Sequence, residues 1–245
     1  MGIKKTLELV SKIKYFKGIT KKTTAKIDSI ENPFEDYFVI KLSTEPGVTW
    51  KPGEHAIFKL PGKAIEGSDY RIFSVASIPE EGYLLLGTRT GKEPSSYKKQ
   101  LITMTKGESV AMAGPFGWFL VKDNTSPIVL FASGVGITPI RGLLKQLEND
   151  MSRPIEIVYA ATNYYLFNEE IERITNNNAA MTLHKTRNPE ETQKKLAELA
   201  KKYDNTAYYY VSGAPTVLQS TIDLLKSKGV KKKRIISDTF EGYKN

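Results

Sequence analysis

Between residues 22 and 120 the apolar residues come in short strand-like runs, and the polar positions between the runs are turn formers. Runs at 36–42, 55–60, 70–76, 83–88 and 109–113 each predict a strand. Turn signals separate them at Glu45-Pro46-Gly47, Pro52-Gly53, Pro61-Gly62 and Gly114-Pro115. Such spacing predicts an antiparallel barrel or sandwich, with one helix at 95–104 carrying the apolar Tyr97, Leu101 and Ile102.

The pattern changes after the polar stretch Lys122-Asp123-Asn124-Thr125-Ser126. Strand runs at 127–132, 155–160, 181–184, 207–212 and 234–237 then alternate with helical runs at 139–147, 168–174, 189–203 and 215–228. Asn188 precedes the third of these helices, and Glu190 and Glu191 fall in its first turn. Alternation on this scale predicts a doubly wound parallel sheet with helices on both faces. Near the N-terminus, Leu9, Ile13 and Phe16 share one helical stripe. The expected organisation is a helical extension at 1–21, an antiparallel β-barrel at 22–122 and an α/β nucleotide-binding domain at 123–245.

Composition narrows the chemistry. The chain has 245 residues, no cysteine and two histidines, His55 and His184. Disulfides, cysteine-ligated clusters and thiolate zinc sites are excluded, and no metal site is expected. The formal net charge of +9 favours an acidic partner or a polyphosphate ligand. Lys231-Lys232-Lys233-Arg234 precedes the apolar Ile235-Ile236, which suits a surface loop. Aromatic and basic residues do not alternate along any stretch, so nucleic acid is not an expected partner. No apolar run approaches the ~20 residues of a transmembrane helix, and a cytoplasmic location is expected.

Residues 133–139 read Ser-Gly-Val-Gly-Ile-Thr-Pro directly after a buried strand. Gly134 and Gly136 let backbone amides approach a pyrophosphate. Thr138 suits a helix N-cap and Pro139 the first helical position, which sets a helix N-terminus at that turn. Ser212-Gly213-Ala214-Pro215 follows another strand, and loops at the carboxyl ends of parallel strands line the ligand crevice. Ser212 is the candidate for the nicotinamide end. Residues 71–77 read Arg-Ile-Phe-Ser-Val-Ala-Ser. On a strand Arg71 and Phe73 share a face, offering a cation to phosphate and a flat wall to an aromatic ring, with Ser74 on the opposite face.

These motifs, in this order, resemble the ferredoxin–NADP reductase family from about Thr23 to Tyr243. Arg71, Phe73 and Ser74 match its arginine-x-tyrosine-serine flavin motif, and Ser77-Ile78-Pro79 the serine-x-proline that follows. Pro52-Gly53-Glu54-His55 resembles its proline-glycine-glutamine turn, and Ser95-Ser96-Tyr97-Lys98 the segment at the flavin pyrophosphate. Gly114-Pro115-Phe116-Gly117 is similar to its glycine-proline-x-glycine loop, and residues 133–139 to its pyridine-nucleotide loop. Ser212–Pro215 stands where the family has cysteine-glycine-proline-proline, and residues 238–243 resemble a C-terminal motif of some members.

The resemblance implies a standalone flavin reductase module: a flavin-dependent oxidoreductase moving hydride from NADH or NADPH to FAD and electrons onward. The acceptor it implies is an acidic ferredoxin or flavodoxin, with reduction of a small acceptor, or non-catalytic nucleotide binding, as alternatives. It also implies that Phe73 stacks on the flavin ring, that Ser74 and Ser212 approach the reacting atoms, and that Arg71, Ser95 and Ser96 hold the flavin phosphates. Thr88 and Arg89 would lie along the flavin tail. Gly134, Gly136, Thr138, Pro139, Ser212 and Gly213 would receive the nicotinamide dinucleotide, with Phe240 near the cofactors. Two positions depart from the family: Phe73 replaces tyrosine and Ser212 replaces cysteine. No acid near Ala160 is placed to bond a ribose hydroxyl, which tilts the expectation toward NADPH without deciding it.

Overall fold

The computed structural model describes residues 14–239. The chain divides into two compact units between Leu120 and Val121. The first contains β1 (Lys22–Phe34), β2 (Tyr37–Thr44), β3 (His55–Lys59), β4 (Tyr70–Ser74), β5 (Leu84–Arg89) and β6 (Ser109–Phe116), with helix α1 (Ser96–Ile102) between β5 and β6. Its sheet runs β4-β3-β6-β1-β2-β5, and the pairings are antiparallel. The two edges curl toward each other: just beyond β4, the Ala76 N–H donates to the Leu85 carbonyl at 2.7 Å. Inside are Ile27, Ile40, Leu42, Phe58, Leu86, Val110 and Met112, with Tyr97 and Leu101 of α1 in the same core.

Strand β1 is thirteen residues long and lies between β6 and β2. It goes unnoticed in the sequence because only Ala25 and Ile27 are buried along it. Register shifts after Ile27 and Glu31 also break its alternation. Residues 1–13, with most of the expected helical extension, lie outside the described residues. Lys14–Thr20 forms a 3₁₀ helix. Phe16 packs its ring 5.9 Å from those of Phe116 and Trp118, and the Gly117 N–H donates to the Tyr15 carbonyl at 3.0 Å. Only glycine fits at position 18, where a Cβ would stand 1.8 Å from the Pro115 carbonyl oxygen.

The second unit alternates β7 (Ile128–Ser133), α2 (Ile137–Leu147), β8 (Ile155–Ala160), α3 (Asn168–Asn176), β9 (Met181–Thr186), α4 (Pro189–Tyr203), β10 (Tyr208–Gly213), α5 (Pro215–Ser227) and β11 (Ile235–Thr239). Its sheet is parallel, in the order β11-β10-β7-β8-β9. β7 and β8 are buried along nearly their whole length, as strands covered on both faces must be. At α4 the Asn188 side chain accepts from the Glu191 N–H at 2.9 Å, and Pro189 opens the helix.

Candidate functional site

From β7 the chain of the second unit moves outward one way to β8 and β9. It then returns to place β10 and β11 on the other side of β7. The gap between β7 and β10 is therefore the point where the winding reverses, and a crevice opens there at the carboxyl ends of the strands. The segments that leave β7 and β10 at that point are Gly134–Gly136 and the end of β10 at Ser212-Gly213. They touch, since a Cβ on Gly136 would lie 2.4 Å from the Ser212 carbonyl oxygen and 2.7 Å from the Gly213 nitrogen. Gly213 in turn sits against Ser133, 2.9 Å from its Cβ to a built Cβ. Gly134 has φ +54, and nothing lies within 4 Å of the place its Cβ would take.

Local structure at this turn differs from the sequence expectation. Gly134–Gly136 is a 3₁₀ turn that runs directly into α2, so Gly136 is the N-cap, and Ile137, Thr138 and Pro139 form the first turn. Thr138 is not the cap: it is buried inside the helix and its Oγ1 donates to the Val135 carbonyl at 2.8 Å. Pro139 occupies the third helical position rather than the first, still among the residues whose N–H has no partner within the helix. The first turn carries no acidic side chain, so the positive end of the α2 dipole is not offset locally.

Ser212 is fully buried, and among the described residues its hydroxyl has no hydrogen-bond partner. A buried hydroxyl without a partner costs about 1–3 kcal/mol. Beside it, in register on β11, stands Asp238, which is 3% exposed. Asp238 opens the 238–243 stretch that resembles the family's C-terminal motif. Phe240 lies outside the described residues.

In the barrel unit the predicted residues gather around α1. Arg71 and Phe73 lie on the face of β4 that Tyr97 of α1 covers. The Arg71 guanidinium stands 5.2 Å from the Tyr97 ring centre, and its Nη1 donates to the Ser68 and Tyr70 carbonyls at 3.0 and 2.7 Å. Phe73 is buried, its ring 5.9 Å from Phe58 and 6.4 Å from Tyr97. It belongs to the barrel core. Ser95 caps α1 by accepting from the Lys98 N–H at 3.4 Å, while the Ser96 hydroxyl accepts from the Glu66 N–H at 3.1 Å. Each serine used as an acceptor keeps a hydroxyl proton to donate.

Thr88 and Arg89 diverge at the end of β5. Thr88 is buried, whereas Arg89 turns its side chain to the exposed side. There its Nε donates to the Asp36 carboxylate at 3.1 and 3.2 Å and its guanidinium lies over Tyr37. Lys98 of α1 closes the segment Ser95-Ser96-Tyr97-Lys98 but was not singled out as a site residue. In the fold it is 5% exposed and its ammonium donates to the Arg89 carbonyl.

Ser74 is buried and stands opposite His55 in the β3–β4 register. His55 sits in an aromatic box, 4.5 Å edge-on from Phe116 and 5.8 Å from Trp118. Burial pushes its imidazole down to about 4, so it is neutral at physiological pH. In the other unit His184 has a partner that the sequence did not suggest: its Nε2 lies 2.8 Å from Glu156, which also accepts from Lys202 and Tyr203 at 2.8 Å each. Glu156 lies near the start of β8, at the end of the sheet opposite the crevice.

No protein-family model matches the chain. Among curated proteins it is similar to the flavohemoprotein of Bacillus subtilis, 25% identical over 224 residues, covering 84% of this chain and 55% of the relative. The chain spans about half the length of the curated relatives it matches. Among solved structures it is similar to flavohemoglobin from Malassezia yamatoensis with bound FAD and heme, at TM-score 0.74 and 15% identity over 93% of this chain and 63% of that one. It is also similar to the ferredoxin-NADP+ reductase from Plasmodium falciparum, at TM-score 0.72 and 19% identity over 89% and 95%. The fold, an antiparallel barrel followed by a parallel sheet with helices, is that of these solved structures. These likenesses set the chain beside flavohemoproteins and ferredoxin reductases, in sequence and in fold. No helix among the described residues is long and apolar enough to cross a membrane.

Proposed function

We propose that the chain is a flavin-dependent NAD(P)H oxidoreductase module of the cytoplasm, in which FAD belongs to the barrel unit and NADH or NADPH to the α/β unit. The observation that carries this reading is the pair of touching loops at the sheet's reversal point, with the orphaned Ser212 hydroxyl between β7 and β11. Residues of the α/β unit fit a dinucleotide. Gly134 leaves open space, the α2 N-terminus is free of acids, and the Ser212 hydroxyl lacks the partner that a carboxamide or nearby polar group supplies. Residues of the barrel fit a flavin's phosphates at Arg71, Ser95 and Ser96, while the ring end is not preformed, because Phe73 is buried.

When bound, the two cofactors supply the hydride and electron chemistry themselves. The chain's part is to bind and orient. Gly134 and Gly136 let backbone amides approach phosphate, Ser212 and Ser74 offer hydroxyls, and Arg71 offers a fixed cation. None of these groups has to move a proton as a general base, which suits a chain with two histidines, one of them neutral and boxed in. The net charge of +9 supports an acidic electron-carrier protein, a ferredoxin or flavodoxin, as acceptor. The burial of Phe73 favours a second reading, a nucleotide-binding protein without turnover.

Absorbance of the purified, FAD-reconstituted protein under anaerobic conditions tests both. A flavin band that bleaches on addition of NADH or NADPH is expected. A yellow protein that neither nucleotide bleaches supports the binding-only reading, and a protein that takes up no FAD ends the flavin reading.

A further inference from the structure

We propose that the amino end of the parallel sheet, opposite the crevice, is a docking surface for an anionic lipid bilayer. Its centre is the stretch between α5 and β11. Residues 226–234 read Lys-Ser-Lys-Gly-Val-Lys-Lys-Lys-Arg, six cations in nine residues with no acid among them. Lys226, Lys228, Lys231, Lys232 and Lys233 are all exposed. The loop holds these charges in a fixed place. Lys232–Arg234 is a 3₁₀ turn, and the Arg234 N–H donates to the Lys231 carbonyl at 2.8 Å. Asn205, in the turn before β10, braces the loop from the side. Its Nδ2 donates to the Gly229 carbonyl at 3.1 Å, and its Oδ1 accepts from the Lys231 N–H at 2.8 Å. The Arg234 guanidinium lies 4.4 Å from the Tyr208 ring centre. Like charges fixed side by side repel one another, and a surface of negative charge relieves that repulsion.

Placement favours a bilayer over an acidic protein that collects electrons. The basic loop stands at the start of β11, with Asn205 just before β10. An electron acceptor bound there would stand at the far end of the unit from the crevice. An apolar side chain, Met151, is 65% exposed at the same end, in the turn before β8. Ser126 joins the two turns. Its carbonyl accepts from Arg153 Nη1 and its hydroxyl from Arg234 Nη1, each at 3.4 Å. The acids at this end are engaged locally: Asp123 and Asp150 pair with Arg153, and the Asp204 carboxylate accepts from the Asn205 amide. Lysines on flexible, strongly hydrated stems, with an exposed methionine beside them, suit a headgroup layer, where diffuse negative charge lies over hydrocarbon.

The experiment sediments the full chain with vesicles of phosphatidylcholine alone and of phosphatidylcholine mixed with phosphatidylserine. Wild type should bind the mixed vesicles, release them as salt rises, and leave the neutral ones. A lysine near an anionic leaflet contributes about fivefold, so Lys231→Gln/Lys232→Gln/Lys233→Gln should weaken binding roughly a hundredfold. Lys26→Gln/Lys51→Gln/Lys92→Gln removes the same charge from exposed sites of the barrel unit and should cost less than about fivefold. Met151→Gln should weaken binding about threefold, from the loss of one partly inserted apolar side chain. Circular dichroism establishes that each variant is folded before it is scored. Wild type that binds neither vesicle, or both equally, overturns the proposal. Equal losses in the two triple variants also overturn it, since net charge and not this end would then govern binding. Soluble polyglutamate is the probe for an acidic protein. If it binds wild type as tightly as the mixed vesicles do, and Met151→Gln leaves both unchanged, the lipid assignment is overturned in favour of that partner.

Discussion

In the α/β unit the candidate site is made of backbone, and in the barrel unit it is made of side chains. The first is already in place: Gly136 lies against Ser212, Gly213 against Ser133, and the turn feeds α2 without a kink. The second has spent several of its groups on folding. Phe73 fills the core, Arg89 holds Asp36, Arg71 holds two carbonyls, and His55 behind Ser74 is boxed in by aromatic rings. A site made of strand ends and helix N-termini is set by topology, so it survives without its ligand. A site made of long side chains competes with the core and the surface for the same atoms.

Acid separates the two units most strongly. In the unfolded chain His55 binds its proton near pH 6.5, and in the native barrel near 4, so the unfolded state holds the extra proton between those values. Stability of the barrel therefore falls as pH drops from about 6.5 to about 4, by a total on the order of 3 kcal/mol. Glu156 of the α/β unit acts lower. Burial raises its carboxyl, but the bonds from Lys202, His184 and Tyr203 outweigh this and hold it below the usual carboxylate range. Its contribution is present above pH 4.5 and is lost only as pH falls through that depressed value. Both tryptophans, Trp50 and Trp118, are in the barrel unit, so urea melts followed by tryptophan fluorescence report that unit alone. The midpoint should decline from pH 7 to 4 in wild type and stay level in His55→Phe; a parallel decline in both removes His55 as the cause.

Two alanine substitutions in one loop measure how far the α/β site is preformed. Gly136→Ala presses a methyl into backbone that cannot move aside and should cost about 2–3 kcal/mol in urea unfolding followed by circular dichroism. Gly134→Ala meets no atom and should cost about 1 kcal/mol, from its positive φ alone. Equal costs would mean that the contact between the loops is loose.

Ser212→Ala should act in the opposite direction. Removing a buried hydroxyl without a partner should raise stability by about 1 kcal/mol while slowing the bleaching of bound flavin by nicotinamide. A gain in stability with unchanged bleaching would leave Ser212 a packing residue.

Much of the fold was legible because its signals are local. The strand at 155–160 and the helix at 189–203 have the bounds read from the sequence, since one is an apolar run broken only by Glu156 and the other has Asn188, Pro189 and an acidic first turn. β1 was not legible, because its burial is sparse and its bulges disrupt the period. Of the candidate site, the glycines and Ser212 were singled out because residue type and strand-end position suffice to nominate them. The burial of Lys98 and Asp238 was not legible, because neighbours in space impose it.

The sequence by itself determined the order of the elements, the change from antiparallel to alternating architecture at the polar stretch 122–126, and the two loops that carry glycine where backbone must come close. Those depend on periodicity and on conformational freedom, which are properties of a residue and its immediate neighbours. Only the tertiary structure decided that Phe73 would be buried in the barrel core, that Arg89 would turn outward to Asp36, and that Lys98 would turn inward. On a strand or a short helix both faces are available to a side chain, and which one is buried is settled by elements dozens of residues away.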